Sequence, residues 1–208
     1  EKIGKYLYNL LTQQRINNLI NHQVNYDNLT KLPNQQIFTE QLNFFLVQTI
    51  ETGQMLGLVM LDLDQFKRIN ESLGHTVGDF VLKQVATRIK DYLETQPSLK
   101  PLLARWHGDR FVILVHKLNY IDELISLSEK ILEQFNNPFY YQNYLIDLSA
   151  SLGITIAPYD GDNAETLIKN AEIAMYQAKT QGKNTFEIYS PKQEQQDLNW
   201  LTMAADLK

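Results

Sequence analysis

Two carboxylates spaced two residues apart, Asp62 and Asp64, close an apolar run that begins at Met55. Lys67 follows three residues after the second of them, then Asn70, then the stretch Gly74-His75-Thr76-Val77-Gly78-Asp79. Carboxylates at a strand end beside a helix N-terminus can hold a hard cation between themselves and a phosphate. The same pair also reads as a solvated strand end followed by a helix cap. The spacing alone leaves both readings open.

The elements that must position these groups follow from the pattern around them. The run up to Leu63 is short, rich in branched residues and stops at Asp, which predicts a buried strand. Asp64 is then expected to cap a helix over 65–73. Upstream, residues 1–25 repeat Ile3, Leu7, Leu10, Leu11, Ile16, Leu19 and Ile20 at helical spacing, a coiled-coil linker or a lid on the core. The turn residues of 26–34 lead to Asn34, which is expected to cap a helix Gln35–Thr52. Downstream, the pattern predicts a helix over 78–94 and strands over 102–106 and 111–116. These two strands meet at His107-Gly108-Asp109-Arg110, a two-residue hairpin signal in which Gly supplies positive φ. A helix over 121–135, a strand over 145–156, a helix from Asp162 or Asn163 to Thr180 ended by Gly182, and a strand over 185–189 complete the unit. A further helix is expected over 193–207. The order is β, two helices, a β-hairpin, helix, β, helix, β. It predicts an α+β, ferredoxin-like antiparallel sheet with helices on its faces and flanking helices at both ends. The expected divisions are 1–25, 26–190 and 191–208.

Bulk properties narrow the function. The chain has 208 residues, 44% of them hydrophobic, enough for one domain with a proper core. Its net charge of -5 argues against a nucleic-acid surface, which needs a basic patch. No run of about 18 apolar residues is present to span a membrane. The absence of cysteine excludes disulfides and thiolate metal sites and fits a cytoplasmic setting. The four histidines lack zinc-ligand spacing. The opening Glu1-Lys2-Ile3-Gly4 is neither a signal peptide nor a natural N-terminus, so an excised piece of a longer protein is expected.

Six motifs in order carry a resemblance. Asp27-Asn28-Leu29-Thr30-Lys31-Leu32-Pro33-Asn34 resembles the opening D-x-L-T-x-L-x-N of GGDEF domains, the diguanylate cyclases of bacterial signalling. Asp62-Leu63-Asp64-Gln65-Phe66-Lys67-Arg68-Ile69-Asn70 resembles their D-x-D-x-F-K-x-x-N, and the 74–79 stretch their G-H-x-x-G-D. Arg105-Trp106-His107-Gly108-Asp109-Arg110-Phe111 stands where R-x-G-G-D-E-F belongs. Ser151-Leu152-Gly153-Ile154 matches S-x-G-I, and 171–179 matches A-D-x-A-M-Y-x-A-K, followed by Gly182-Lys183-Asn184.

The resemblance implies a nucleotidyl-cyclase-type fold and phosphoryl transfer between two GTP-loaded domains, with Mg-held phosphates, giving cyclic di-GMP. It implies Asp62, Asp109 and the carbonyl of Leu63 as metal ligands. Lys67 and the backbone around Gln65 and Phe66 would hold phosphates, with Lys179 and Lys183 reaching them from the far helix. Asn70 and Asp79 would read guanine, since a carboxylate accepts from its N–H groups and an amide can serve the remaining edge. Residues 186–189 and the helix after them resemble the connector into an EAL phosphodiesterase domain.

The signature itself departs at His107, where the family has its first Gly, and at Arg110, where it has Glu; Gly108 and Asp109 persist. His107 is expected to strain a positive-φ turn position and to crowd the nucleotide. Arg110 is the graver change: a permanent cation can be neither ligand nor base. A unit charge at 4 Å is worth about 4 kcal/mol at an effective dielectric near 20, so reversing its sign beside a divalent ion costs several times that. Arg110 is expected to pair with Asp62 and Asp109 and to replace the missing cation, or to grip a GTP phosphate directly; the alternative is a side chain turned to solvent. Ser98-Leu99-Lys100-Pro101 occupies the window of the family's inhibitory R-x-x-D, so no product-inhibition site of that kind is expected.

Three functions compete. The first is a catalytically inactive regulatory module that binds GTP and acts on an attached output domain. The second is an active diguanylate cyclase tolerating an altered signature, and the third a structural dimerisation module. The sign of the charge at 110 favours the first.

Overall fold

The computed structural model describes residues 25–191. Helix α1 (Gln35–Thr52) starts where Asn34 accepts a hydrogen bond from the Ile37 amide at 3.1 Å, and it stops at Gly53, whose φ of 68° no longer continues the helix. Strand β1 (Met55–Leu63) runs into α2 (Phe66–Leu73) and α3 (His75–Glu94). The hairpin β2 (Leu102–His107) and β3 (Arg110–Leu118) follows, then α4 (Ile121–Glu133). A small hairpin of β4 (Phe139–Tyr141) and β5 (Tyr144–Ile146) precedes β6 (Ala150–Ala157), α5 (Ala164–Thr180) and β7 (Phe186–Ile188).

The main sheet has the order β2-β3-β1-β6-β7, so β1 is its centre. Its two faces are both covered. Leu58 and Met60 face Phe38 and Leu42 of α1 and Ala171 and Met175 of α5. Val59 and Leu61 face Val81, Val85 and Ile89 of α3 and Leu124 of α4. Burial on both faces is why β1 reads as an unbroken apolar run rather than an alternating one. Register follows from this packing, because a one-residue slip would turn every side chain of β1 to the other layer. That register sets Asp62 opposite Arg110 on β3 and opposite Ser151 on β6.

The α+β architecture expected from the element order is present, with four differences. The sheet is mixed, since β7 pairs with β6 in parallel. The strand expected over 145–156 is two strands in different sheets: β5 pairs with β4, β6 pairs with β1, and residues 147–149 link them, the Asp64 amide donating to the Ser149 carbonyl at 2.8 Å. Helix α3 begins at His75, three residues before the expected start, on the carbonyl of Gly74, which accepts from the Val77 and Gly78 amides. Asp64 does not cap α2: Gln65 takes that place in the left-handed region with φ 57°, and the Asp64 carboxylate is drawn instead to β6. The helices expected over 1–25 and 191–208 fall almost entirely outside the described residues.

Helix α5 lies directly on β6 at Gly153. A β-carbon built there would come within 2.0 Å of the Ala171 carbonyl oxygen and 2.2 Å of the Met175 amide nitrogen, both backbone atoms. Neither can swing aside as a side chain would, so the helix as a whole must shift. Gly153→Ala is expected to destabilise the domain by about 3 kcal/mol, read as a lowered urea midpoint at unchanged slope.

Candidate functional site

Asp62 sits at the end of the central strand and is only 4% exposed. A carboxylate taken out of water this far requires cationic or hydrogen-bonding partners. It has two. Arg110 donates through Nε to Asp62 Oδ2 at 3.0 Å, and the Lys179 ammonium donates to Oδ1. The other arm of the Arg110 guanidinium donates through Nη1 to Glu172 Oε1 at 3.1 Å. Glu172 and Lys179 lie seven residues apart on α5, hence on one face of it. Asp62, Arg110, Lys169, Glu172, Tyr176 and Lys179 line a cavity of about 340 Å³ between α5 and the sheet.

Asp109 stands in the β2–β3 turn beside this cluster, its carbonyl accepting from the Leu63 amide at 3.3 Å. Burial pushes its carboxyl above the ordinary aspartate value and the nearby Asp62 charge adds to this, against its own backbone amide, Lys179 and Arg110. Arg110 is paired with Asp62 and Glu172 and not, as expected, with Asp62 and Asp109. The strain expected at His107 is absent: the left-handed position of the turn belongs to Gly108, with φ 57°, and His107 ends β2 with its side chain exposed. Its pairing partner across the hairpin is Arg110.

Two further residues fix the frame. Asp64, also 4% exposed, accepts from Ser149 Oγ and Ser151 Oγ at 2.7 Å each and from the Asn184 amide at 3.2 Å. It thereby ties the end of β1 to β6 and to the loop that carries Lys183. Arg105, 8% exposed on β2, donates to the Gly108 carbonyl inside the turn, lies 3.6 Å from Asp27 and stacks over Phe111 at 5.3 Å. Burial lowers its guanidinium from the ordinary arginine value, while Asp27, Asp109 and Asp79 oppose that shift. Asp27 in turn accepts from the Thr30 amide and hydroxyl at 2.7 and 2.6 Å. The 27–34 turn is thus coupled to the hairpin.

The residues expected to meet a nucleotide are spread around this frame. Phe66 is buried under α3, and Asn70 crowds Gly78 so closely that a β-carbon there would meet Asn70 Oδ1 at 1.9 Å. Asp79 is exposed on α3, next to the field of Arg105. Gln65 is exposed at the β1–α2 junction, and Lys67 projects outward, 88% exposed, 3.8 Å from Glu71. Lys179 belongs to the Asp62 cluster. Lys183 lies past the end of α5, not on it, at φ 64°. Sequence reasoning missed Glu172, Arg105, Ser149, Ser151 and Asn184 as site-shaping residues. The seven-residue spacing of Glu172 and Lys179 was the available signal for the first; the others become visible only through pairing across the sheet.

These donors do not fit a divalent cation. Both oxygens of Asp62 are engaged by cationic nitrogens, and among the described residues no group of three or more acidic or histidine side chains is arranged to hold a metal. The arrangement is a pair of carboxylates, Asp62 and Glu172, bridged by Arg110, with Lys179 also held on Asp62.

A mixed five-stranded sheet with the acidic end of its central strand set against a β-hairpin turn defines a nucleotidyl-cyclase-type domain. Comparison with known proteins makes this specific. The family model of the diguanylate cyclase GGDEF domain matches residues 24–185. The chain is 33% identical over 183 residues to the bifunctional diguanylate cyclase/cyclic di-GMP phosphodiesterase MucR of Pseudomonas aeruginosa, covering 88% of this chain and 26% of that protein. The solved structure of the isolated GGDEF domain of TpbB (YfiN) from P. aeruginosa superposes with a TM-score of 0.76 at 29% identity, over 84% of this chain and 99% of that one. An EAL/GGDEF domain protein from M. capsulatus matches at 37% identity and a TM-score of 0.63, over 76% and 100%. The chain belongs to the GGDEF-domain family of diguanylate cyclases, and it spans about a quarter of the length of MucR.

The raised Asp109 carboxyl has a signed consequence. A folded-state carboxyl held above its unfolded value costs nothing below the unfolded value, and the penalty is complete once pH exceeds the folded value. Asp109→Asn is therefore expected to raise the melting temperature at pH 7 and to leave it unchanged near pH 3, a difference that differential scanning calorimetry at the two pH values reads directly.

Proposed function

We propose that this GGDEF domain of cyclic di-GMP signalling is catalytically inactive and serves as a GTP-binding regulatory module for an output domain in the same protein, with Mg absent from its centre. The observation that carries this reading is Arg110, which occupies the place of the family's catalytic Glu and is held there by Asp62 and Glu172. The family's reaction neutralises developing phosphate charge with a metal and activates a hydroxyl beside a carboxylate. A guanidinium at that position supplies neither ligand nor base. Of the residues the resemblance implies for the nucleotide, Phe66, Lys67, Asn70, Asp79, Lys179 and Lys183 match its motifs, and Gln65 would contribute through its backbone. Loss of reaction with retention of ligand contacts is the pattern of a sensor. EAL is the output domain this reading favours: MucR and the M. capsulatus protein are named for both activities or both domains. A cytoplasmic setting and a homodimer belong to the same reading; among the described residues no helix is long and apolar enough to cross a membrane.

The second reading, an active cyclase, rests on the persistence of Asp62 and Asp109. Incubation of the chain with GTP and magnesium, followed by chromatographic separation of products, separates the two. The expected result is no cyclic dinucleotide above the enzyme-free blank, together with GTP binding seen by calorimetry. Appreciable cyclic di-GMP formation overturns the proposal, and absence of GTP binding leaves only a structural role.

A further inference from the structure

The mismatch between the acidic strand end and a divalent cation points to a different ligand chemistry. We propose that Arg110 and Lys179 are a protein-borne replacement for the metal, and that this centre takes the polyphosphate of a nucleoside triphosphate without any divalent ion, in competition with Asp62. This rests on the regulatory reading of the same site and specifies how it binds.

The geometry sets the terms. Among the described residues Asp62 and Glu172 hydrogen-bond to the two cations, Asp62 to both of them, with Asp109 close enough for its charge to be felt by both. Arg110 is about one-third exposed and Lys179 about one-quarter, so both heads are reachable from the 340 Å³ cavity while Asp62 stays beneath them. Lys169 adds a further cation to the lining. A triphosphate entering here meets a guanidinium fork suited to bidentate phosphate binding and an ammonium point charge. It must displace the Asp62 carboxylate from one or both, or share them with it. The buried carboxylate, which would favour nucleotide binding by holding a metal in a metal-dependent member of the fold, here opposes it by neutralising the very cations the phosphates need.

The two arrangements therefore predict opposite signs for one substitution. With a metal-dependent centre, Asp62→Asn removes a ligand and weakens nucleotide binding. With protein-borne cations, Asp62→Asn removes the competing charge, frees Arg110 and Lys179, and tightens it. Calorimetric titration of the 208-residue chain with GTP, and in parallel with inorganic triphosphate, is to be run in magnesium and in excess chelator. The expected result is GTP binding of equal affinity in both conditions, tightened about tenfold by Asp62→Asn and weakened about tenfold by Arg110→Gln at the rim of the cavity. Inorganic triphosphate should follow the same order, showing that the phosphate chain is what the cluster recognises; GTP binding with no response to triphosphate and no change in Arg110→Gln overturns the assignment to this cluster. Circular dichroism melts confirm that both variants are folded, and Arg110→Gln, which keeps the buried Asp62, tests the idea if Asp62→Asn does not fold. Manganese, followed by electron paramagnetic resonance, should remain unbound by the wild type and become bound in Arg110→Glu. GTP binding that requires magnesium, or is weakened by Asp62→Asn, overturns this inference and leaves the regulatory reading standing. No GTP binding by any variant in either condition overturns both.

Discussion

The charge balance at Asp62 is the constraint around which the site is arranged. The carboxylate is forced below the surface because β1 is the central strand and its register is locked by apolar side chains on both faces. A buried anion cannot be left alone; the desolvation penalty of several kcal/mol must be offset by charge or hydrogen bonds. A bound cation could do this, at the expense of making the fold depend on ligand. In this chain the offset is covalently attached: Arg110 arrives from the neighbouring strand, directly across the ladder, and Lys179 from the helix packed over it. The parity of the strand explains the meeting. Residues 58, 60 and 62 of β1 share one face, and that face looks toward α1 and α5, so a side chain at 110 in register with 62 points to the same layer.

A second buried carboxylate shows the other solution to the same problem. Asp64 is as deeply buried as Asp62 but is satisfied by two hydroxyls and a backbone amide. Neutral donors hold it as a structural bolt between β1, β6 and the Asn184 loop. The two residues of one Asp-x-Asp pair thus divide the labour, one carrying an exchangeable charge network and the other fixing the strands that present it. Arg105 plays the matching part on the far side of the hairpin, where its bond to the Gly108 carbonyl shapes the turn and its proximity to Asp27 joins it to the 27–34 segment.

How much of this was legible in the sequence depends on whether the information was local. The Asn34 cap, the Gly182 stop and the Gly108 turn were readable because cap and turn chemistry acts over three or four residues. The Asp62–Arg110 pair was expected from the resemblance, which puts both residues at one centre, and the pairing of β1 with β3 brings them together. The role of Asp64 was not legible. Next to a helix start its side chain has a ready local use as a cap, and only the pairing of β1 with β6 reveals two serine hydroxyls within 2.7 Å that bind it more effectively. The break of the long 145–156 strand is equally non-local, because residues 144–146 pair with β4 in a separate hairpin while β6 pairs with β1. Strain at His107 was misplaced for a simpler reason: the register of β2 and β3 puts the left-handed residue one position later, on glycine.

A domain whose acidic centre is neutralised from within has a particular thermodynamic position. Ligands stabilise a fold only to the extent that they bind it better than the unfolded chain, so a metal-dependent acidic centre couples folding, metal and nucleotide to one another. If Arg110 and Lys179 stand in for the metal, as proposed, the first link is removed while anion-binding groups remain at the surface of a preformed cavity. On the proposed reading the result is a scaffold that keeps its shape without its reaction, and whose remaining response is to anions that can draw two cations away from one buried carboxylate. The strength of that response is set by the competition at Asp62. A switch of this kind needs no movement of the sheet, only a transfer of hydrogen bonds from carboxylate to phosphate at the tip of β3 and along one face of α5.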